Sequence, residues 1–478
     1  MNKKIIIHIL GFTLMLEAVC LLLPFICGLI YGEGESIYFA ITSVICFMVG
    51  FILKTVYPKN GNMYAKEGLA TVSLSWIVMS FFGALPFYFS GVIPSFIDAL
   101  FETVSGFTTT GSTILKDVEV LPRCMLFWRS FTHWIGGMGV LVFLVSIFRF
   151  SGGNNLYLLK AESTGPAVGK IVPKVQSTAK ILYGIYTTFT ILQMVLLIAS
   201  GMEIFDAVTT ALGTAGTGGF GIKNSSIVDY TPLQQNIITI FMLVFGVDFS
   251  IYYMILMKKY KDALRSEELR AYFIIIFVAI ALIFINTAGY FESLWTGLRH
   301  SAFQVASIIT TTGFMTDDFN KWPELSKTVL LLLMFIGACA GSTGGGMKVS
   351  RILISFKTII KELKITAHPQ STHKITINKR VIAHDTIRSI NVYMIAYFVI
   401  FGLALLVISL DNFDFTTSFT AVATTINNIG PGLGAVGPVE NFSEFSVLSK
   451  LVFILNMLIG RLEVFPMLIL FSPYTWKK

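Results

Sequence analysis

Four short turns in the sequence combine threonine, asparagine and glycine in a pattern suited to holding a cation through backbone oxygens. They read FTTTGST at 107–113, AGTGGFG at 215–221, ITTTGFM at 309–315 and INNIGPG at 426–432. Glycine adopts backbone angles that other residues avoid, and threonine adds a hydroxyl oxygen as an acceptor. Carbonyl oxygens that converge on an axis can replace the hydration shell of a monovalent cation. Four such turns therefore indicate a ring that binds a cation.

A short, half-polar segment precedes each turn, and its length indicates a half-helix. The four segments are 95–106, 203–214, 297–309 and 413–426. At about a dozen residues each, they are shorter than the ~20 residues that cross the hydrocarbon core. A half-helix can enter and leave on one side of the membrane, with the negative end of its dipole aimed at the turn. Four unrelated amphipathic loops are the alternative.

The remainder of the chain is predicted to be membrane helix. Hydrophobic residues make up 54% and charged residues 13% of the 478 residues, and the mean hydropathy is +0.75. A soluble domain carries roughly 25% charged residues. Apolar runs such as 273–289 and 388–410 reach or approach the length of a spanning helix. The sequence predicts two leading helices and then four units of helix, half-helix and helix, or about ten spans.

The chain has a net charge of +8, and its basic residues concentrate in particular loops. This distribution indicates that the positive charge sets the membrane topology and does not bind a nucleic acid. The four basic loops are 54–66, 149–180, 258–270 and 348–388. Lysine and arginine favour cytoplasmic loops. If all four loops are cytoplasmic, both termini are cytoplasmic as well.

The sequence gives no sign of enzyme chemistry. The five cysteines form no CxxC pair, the six histidines have no metal-ligand spacing, and no nucleophile–base set or phosphate-binding loop is present. We therefore predict a protein that is not an enzyme and has no organic cofactor. A membrane-embedded lipid-modifying enzyme is the alternative from another class, although no acid, base or metal ligands group together.

Two features of the later helices suggest a gate. The stretch GSTGGGMK at 341–348 interrupts the helix that follows the third turn, and its glycine content makes a continuous helix improbable. A flexible turn at the bilayer surface is the alternative. Arg461 lies in the last apolar segment, where a charge is costly unless it faces a cavity or a partner. The charge of Arg461 would be accommodated if the side chain faced a pore or formed a salt bridge with Glu463.

Acidic residues near the half-helices form another candidate group: Asp98, Glu102, Asp206 and Asp414. At the outer mouth of a pore, negative charge would concentrate cations before entry. Simple solvation at the membrane interface explains these residues equally well. Asp248 is a further polar residue in an apolar segment, with no role that the sequence indicates.

With these turns and their context, the sequence resembles the superfamily of potassium transporters that includes TrkH and KtrB. The resemblance covers about 65–478, and TTTGFMTDDF at 310–319, NNIGPGLGAVGP at 427–438 and the two leading helices are similar to the TrkH branch. It implies an all-α polytopic membrane protein in which four helix–pore-loop–helix repeats, as in a potassium channel, surround a central pore. The implied units are two peripheral helices in 1–64 and repeats in 65–155, 156–262, 263–365 and 366–478.

The resemblance implies potassium uptake, with K⁺ and Rb⁺ passing down the electrochemical gradient through a carbonyl filter. The implied K⁺ ligands, mainly backbone carbonyls, are Thr108, Thr109, Thr110, Gly111, Gly216, Thr217, Gly218, Gly219, Thr310, Thr311, Thr312, Gly313, Asn427, Asn428, Ile429 and Gly430. In plant relatives, serine in place of the first filter glycine accompanies sodium preference, whereas all four positions here are glycine. Gly218 and Ile429 depart from TTTG. A Na⁺-coupled or Na⁺-permeable transporter of the same superfamily is the alternative.

The resemblance also implies a gate, a location and partners. Residues 338–348 would form an intramembrane loop below the filter, and Arg461 would act as an electrostatic barrier in the closed state. The implied gate residues are Gly341, Gly344, Gly345, Gly346, Lys348 and Arg461. A homodimer is implied in the bacterial inner membrane, with a cytosolic nucleotide-binding ring protein of the TrkA type as regulator. K⁺ is then the transported ion, and no nucleic acid is involved.

Overall fold

The computed structural model describes residues 2–55, 64–139, 175–370 and 373–476, and within them nearly all regular structure is helical. The predicted basic loops at 54–66 and 149–180, and the predicted boundary between the first two repeats, lie largely or wholly outside these residues. The helices are α1 (Lys3–Tyr31), α2 (Ser36–Thr55), α3 (Ala65–Gly83), α4 (Leu85–Phe89), α5 (Phe96–Phe107), α6 (Arg123–Gly137), α7 (Val175–Ala199), α8 (Ile204–Gly216), α9 (Pro232–Phe245), α10 (Phe249–Leu256), α11 (Tyr260–Leu264), α12 (Glu267–Asn286), α13 (Leu294–Ile309), α14 (Glu324–Ile336), α15 (Val349–Ala367), α16 (His384–Ile408), α17 (Phe415–Asn427), α18 (Val447–Arg461), α19 (Phe465–Phe471) and α20 (Pro473–Trp476). Short 3₁₀ turns occur at Phe319–Lys321, Ser409–Asp411 and Gly434–Val436, and strands β1 (Thr376–Ile377) and β2 (Arg380–Val381) pair antiparallel.

Six stretches of helix in the described residues are long and apolar enough to cross a membrane. They lie in α1, α2, α3 with α4, α7, α12, and α16 with the 3₁₀ turn that follows it. The pair α9 and α10 would be a seventh span, although the two helices are bent by 90°. The expectation of about ten spans stays a prediction, because residues 56–63 and 140–174 lie outside the described residues. The helices that follow the four turns are interrupted or only 13 to 15 residues long.

The two leading helices pack tightly against each other along a pair of glycines. A Cβ atom added at Gly11 would lie 2.6 Å from the carbonyl oxygen of Gly50, and one added at Gly50 would lie 2.7 Å from that of Gly11. Small residues let membrane helices approach at this distance. Helix α1 also packs on α3 and α6, so the leading pair is attached at one side of the remaining helices.

Four short helices, each of 12 to 16 residues, lead into the four sequence turns. We call α5, α8, α13 and α17 the turn helices, and α6, α9, α14 and α18 the following helices. Each following helix packs on its own turn helix and on the turn helix of the next unit: α6 on α5 and α8, α9 on α8 and α13, α14 on α13 and α17, and α18 on α17 and α5. The last contact returns to the first unit, so the eight helices form a closed ring.

Candidate functional site

The four glycines that end the sequence turns lie against one another in the same cyclic order as the helices. A Cβ atom added at Gly111 would lie 2.8 Å from the amide nitrogen of Gly219, and one added at Gly219 would lie 2.4 Å from the carbonyl oxygen of Thr312. A Cβ atom added at Gly313 would lie 2.1 Å from the carbonyl oxygen of Ile429, and one added at Gly430 would lie 2.9 Å from that of Thr110. Contacts below 3.0 Å cannot form without displacement of the backbone. The same glycines line one cavity. Side chains are thus excluded from the place where the turns meet.

The backbone of all four turns reverses at the same position. Thr109, Thr217, Thr311 and Asn428 have φ between 55° and 58°, in the left-handed region. A β-branched residue rarely adopts this conformation because its side chain crowds the backbone. Three threonines in this region, at equivalent places, are therefore held there by their surroundings. Gly111, Gly313 and Gly430 follow with φ of 81°, 84° and 103°, and Gly219 departs from this pattern.

Threonine hydroxyls hold the first and third turns in shape. Thr108 donates to the Val104 carbonyl at 2.6 Å and shares a 2.8 Å hydrogen bond with Thr110. Thr310 and Thr312 repeat both contacts at 2.6 and 2.8 Å, with Ala306 as the acceptor. These four hydroxyl groups are engaged within the scaffold, whereas the buried hydroxyl of Thr109 in the first turn has no hydrogen-bond partner among the described residues.

The fourth turn is built with amides in place of hydroxyls. The side chain of Asn427 donates to the Ala423 carbonyl at 2.9 Å, and that of Asn428 donates to the Thr110 hydroxyl and the Met457 carbonyl, each at 2.9 Å. Asn428 thereby joins the fourth turn to the first. Ile429 is fully buried. Asn427 thus repeats the contact that Thr108 and Thr310 make with the carbonyl four residues earlier, whereas the contacts of Asn428 have no counterpart in the first and third turns.

His133 of α6 supports the second turn, and sequence reasoning missed it. Its ring nitrogens contact the Gly106 carbonyl at 2.8 Å and the Phe220 amide at 3.3 Å. A Cβ atom at Gly218 would lie 2.3 Å from the ring. Glycine in the place where the first and third turns have threonine was the one signal of a side chain arriving from elsewhere.

The acidic residues near the turn helices have protein partners. Glu102 is buried and accepts from Arg129 at 2.8 Å and from the Ile114 amide at 3.1 Å. Glu102 is therefore paired inside the protein and not solvated at the membrane interface, and its role in concentrating cations at the outer mouth stays a prediction. Asp98 pairs with Lys450 at 2.7 Å, and Asp206 accepts from the Tyr230 hydroxyl at 2.8 Å.

Asp414 caps the start of α17. Its carboxylate accepts a hydrogen bond from the Thr417 amide at 3.0 Å and another from the Thr417 hydroxyl. These hydrogen bonds, the one from the hydroxyl above all, hold the pKa of the Asp414 carboxyl below its usual value. A charged carboxylate at a helix N-terminus also interacts favourably with the helix dipole. Asp414 therefore fixes the start of the fourth turn helix.

The helix after the third turn is broken, as the glycine-rich sequence predicts. Helix α14 ends at Ile336 and α15 begins at Val349. We call residues 337–348 the α14–α15 loop. Cys339, Thr343 and Lys348 are at most 2% exposed. Burial of this kind contradicts the alternative of a flexible turn at the bilayer surface.

The α14–α15 loop lies directly against the third and fourth turns. The Gly345 amide donates to the Thr311 hydroxyl at 2.6 Å, and the Gly346 amide donates to the Asn427 carbonyl at 3.1 Å. A Cβ atom at Gly344 would lie 2.9 Å from the Thr310 oxygen. Glycine is required here because the loop backbone touches the turn backbone without intervening side chains.

The loop is also attached to the broken helix of the second unit. The carbonyls of Phe245 and Gly246, at the end of α9, accept hydrogen bonds from the amides of Thr343 at 3.4 Å and Cys339 at 3.1 Å. Asp248 caps α10 by accepting from the Ser250 amide at 2.8 Å. Its carboxylate also lies beside Gly341, where an added Cβ atom would be 2.6 Å away. Asp248 thus positions both the bend and the loop.

Arg461, at the end of α18, bridges the loop to the first unit. Its guanidinium donates to the Thr343 carbonyl at 2.8 Å and to the carbonyls of Gly136 and Gly137 at 2.6 and 2.7 Å. Glu463 forms a salt bridge with Arg351, and Arg351 also donates to the Met347 carbonyl at 3.2 Å. Two arginines therefore hold the loop from different sides.

The comparisons with known proteins agree with one another along the chain. The TrkH family model, described as cation transport protein, matches residues 35–478. The chain is 36% identical to the Trk system potassium uptake protein TrkH of Salmonella typhimurium and 32% identical to TrkG of Escherichia coli, with 100% of the chain covered and 100% and 99% of those proteins. The crystal structure of the potassium transporter TrkH from Vibrio parahaemolyticus matches with a TM-score of 0.90 at 32% identity and full coverage of both chains.

Proposed function

The chain belongs to the TrkH family of cation transport proteins, and from that premise we propose that it takes up potassium across the membrane. It is a helical membrane protein with several spanning helices, and its substrate is K⁺, as the names of its relatives indicate. The inside-negative potential assists the entry of a cation by about 2.3 kcal/mol per charge per 100 mV. An ion pathway through the helices is sufficient for this activity.

In the proposed mechanism the four turns form a selectivity filter. Backbone carbonyls of 108–111, 216–219, 310–313 and 427–430 surround one axis and replace the water around K⁺. The observation that carries the proposal is the cyclic contact of Gly111, Gly219, Gly313 and Gly430. The hydroxyls of Thr108, Thr110, Thr310 and Thr312 are engaged in hydrogen bonds within the turns, and the C-terminal ends of the four turn helices favour a cation. In this mechanism the four sequence units, 65–155, 156–262, 263–365 and 366–478, are repeats around a central pore, and the two leading helices lie beside them.

We assign the α14–α15 loop as the gate. It lies against two of the four turns. The charge of Arg461 beside the loop would oppose a cation at short range, and its three hydrogen bonds would hold the loop in place. The proposed gate residues are therefore Gly341, Gly344, Gly345, Gly346, Lys348 and Arg461.

The proposed setting is a homodimer in a bacterial inner membrane, with both termini cytoplasmic. Regulation would come from a cytosolic nucleotide-binding ring protein, because the chain itself has no nucleotide-binding motif. The basic segment 348–388 offers it a docking surface. It includes α15, the β1–β2 hairpin and the start of α16. Basic side chains there would favour an acidic surface on the partner.

The test is rubidium uptake into proteoliposomes that contain the purified chain, with potassium, sodium and lithium as competitors. We expect potassium to block uptake and lithium to have no effect. Equal competition by sodium would support the sodium-permeable alternative. An absence of uptake by both the wild type and Arg461→Ala, in vesicles shown to contain folded protein, would contradict the proposed gate.

A further inference from the structure

Glu268, in the first turn of α12, holds both ends of the α14–α15 loop through one carboxylate oxygen. Oε1 of Glu268 accepts a hydrogen bond from the Ala340 amide at 2.7 Å and another from the Ser350 amide at 3.2 Å. Ala340 lies early in the loop and Ser350 lies just beyond its end. A single side chain from another helix therefore fixes the distance between the two ends of the loop.

The bond to Ser350 also supplies a cap that α15 lacks. Lys348, the residue before α15, has φ of 77° and makes no side-chain cap hydrogen bond. Its ammonium group instead donates to the Gly344 carbonyl within the loop. A carboxylate at a helix N-terminus satisfies a free backbone N–H group and interacts favourably with the helix dipole. Glu268 performs this function from outside the helix, so α15 and the loop share one anchor.

The adjacent residue, Glu267, ties the same turn of α12 to the β1–β2 hairpin. Its amide donates to the side chain of Asn378 at 2.8 Å, and its carboxylate accepts from the Asn378 amide at 2.9 Å. Lys357 of α15 pairs with Glu267 and donates to the Thr376 carbonyl at 2.7 Å. Two consecutive carboxylates thus connect the hairpin to the loop.

We propose that Glu268 is a positioning residue for the gate, which keeps the α14–α15 loop against the filter turns, and that Glu267 makes its position depend on the hairpin. The inference rests on the proposed function of the loop. Displacement of the hairpin would move the first turn of α12 and with it the acceptor of the Ala340 and Ser350 amides. The two amides would then lack a partner in a buried environment, and the loop would leave its place.

The first test compares Glu268→Ala with Glu268→Gln in rubidium uptake without any partner protein. Because one oxygen accepts both hydrogen bonds, the glutamine carbonyl can replace it and should keep uptake near the wild-type rate. The alanine variant should raise uptake roughly tenfold, equivalent to ~1.4 kcal/mol, with an unchanged preference for rubidium over sodium. Glu324→Ala is the matched control, since the Glu324 side chain is 88% exposed.

A second readout reports the position of the loop itself. Cys339 is adjacent to Ala340 and fully buried. In a background with Cys20, Cys27, Cys46 and Cys124 replaced by alanine, a small thiol reagent should label Cys339 faster in Glu268→Ala than in Glu268→Gln or the parent. A structural role elsewhere in α12 would not expose this one thiol.

The outcomes separate this inference from the proposed gate. If Arg461→Ala raises uptake while Glu268→Ala changes neither uptake nor labelling, the role of Glu268 is overturned and the gate stands. If neither variant raises uptake, the gate fails as well. If Glu268→Gln labels as fast as the alanine variant, the hydrogen-bond role is overturned. Should Glu268→Ala fail to fold, Glu268→Asp, with a shorter side chain, must still label faster than the parent.

Discussion

Arg461 donates a hydrogen bond to the Thr343 carbonyl at 2.8 Å, across a separation of 118 residues in the chain. The same guanidinium reaches two carbonyls at the end of α6. The last following helix, the first following helix and the α14–α15 loop therefore meet at one charged group. A change at this group should affect the loop and leave the four turns in place.

Arg461→Ala should raise rubidium uptake by about tenfold or more in the absence of a partner protein. The variant loses hydrogen bonds from a charged group, which contribute ~1.5–3 kcal/mol each. It also loses the positive charge that repels a cation. Uptake into proteoliposomes measures this. Arg265→Ala, at an exposed arginine, is the control and should behave as wild type. Unchanged uptake by correctly folded Arg461→Ala would contradict the assigned role.

Gly313→Ser should lower the permeability ratio of potassium to sodium by about tenfold. The new Cβ atom would lie 2.1 Å from the Ile429 oxygen, and the backbone φ of 84° is unfavourable for serine. The turn must therefore shift and the carbonyl ring must change. Reversal potentials under biionic conditions give the ratio. Gly402→Ser is the matched control, since nothing lies within 4 Å of a Cβ atom there. An unchanged ratio in Gly313→Ser would sink the filter assignment.

His133→Ala should destabilise the second turn and reduce selectivity for potassium. The Gly106 carbonyl and the Phe220 amide would lose their shared partner in a buried site, at a cost of ~1–3 kcal/mol. We expect a lower melting temperature, together with stronger competition by sodium for rubidium uptake. His384→Ala, at an exposed histidine, should change neither. Lower stability with intact selectivity would reduce His133 to a packing residue.

Glu102→Gln should lower stability by about 3–5 kcal/mol, because it leaves Arg129 as a buried charge without its carboxylate. Thermal unfolding in detergent measures the loss, and Glu362→Gln, at a side chain 63% exposed, serves as control. At low ionic strength the half-saturating rubidium concentration of the folded fraction should remain at the wild-type value. A large rise in that concentration would instead indicate that Glu102 attracts cations from solution.

Local patterns correctly predicted the broken helix and the positions of the short helices before the turns. Glycine at 341, 344, 345 and 346 weakens a helix wherever it occurs, so the loss of helix between α14 and α15 was readable from the sequence. The short segments before the turns were likewise readable by length, and they match α5, α8, α13 and α17 to within a few residues. The filter and gate assignments remain predictions.

The breaks in the other following helices were not predicted, although the sequence contains a pattern of glycines near them. Glycines lie within the following helices or directly after them, at similar distances from the turns, namely Gly136, Gly246, Gly337 and Gly460. A Cβ atom at Gly136 would lie 1.8 Å from the Phe107 oxygen, and one at Gly460 would lie 2.0 Å from the Ile426 oxygen. A single glycine in an apolar helix is ordinary in membrane proteins, so only the close contact with a turn helix distinguishes Gly136 and Gly460.

The sequence by itself determined that this protein is a helical membrane protein with four similar turns, because hydrophobicity and glycine content act through local propensity. Only the tertiary structure decided the partner of each buried polar group: Glu102 pairs with Arg129, Glu463 pairs with Arg351, and Glu268 accepts from the amides of Ala340 and Ser350. These partners lie 27 to 112 residues apart. A buried charge requires a partner. The fold determines which residue becomes that partner, so the spacing of residues in the sequence does not reveal it.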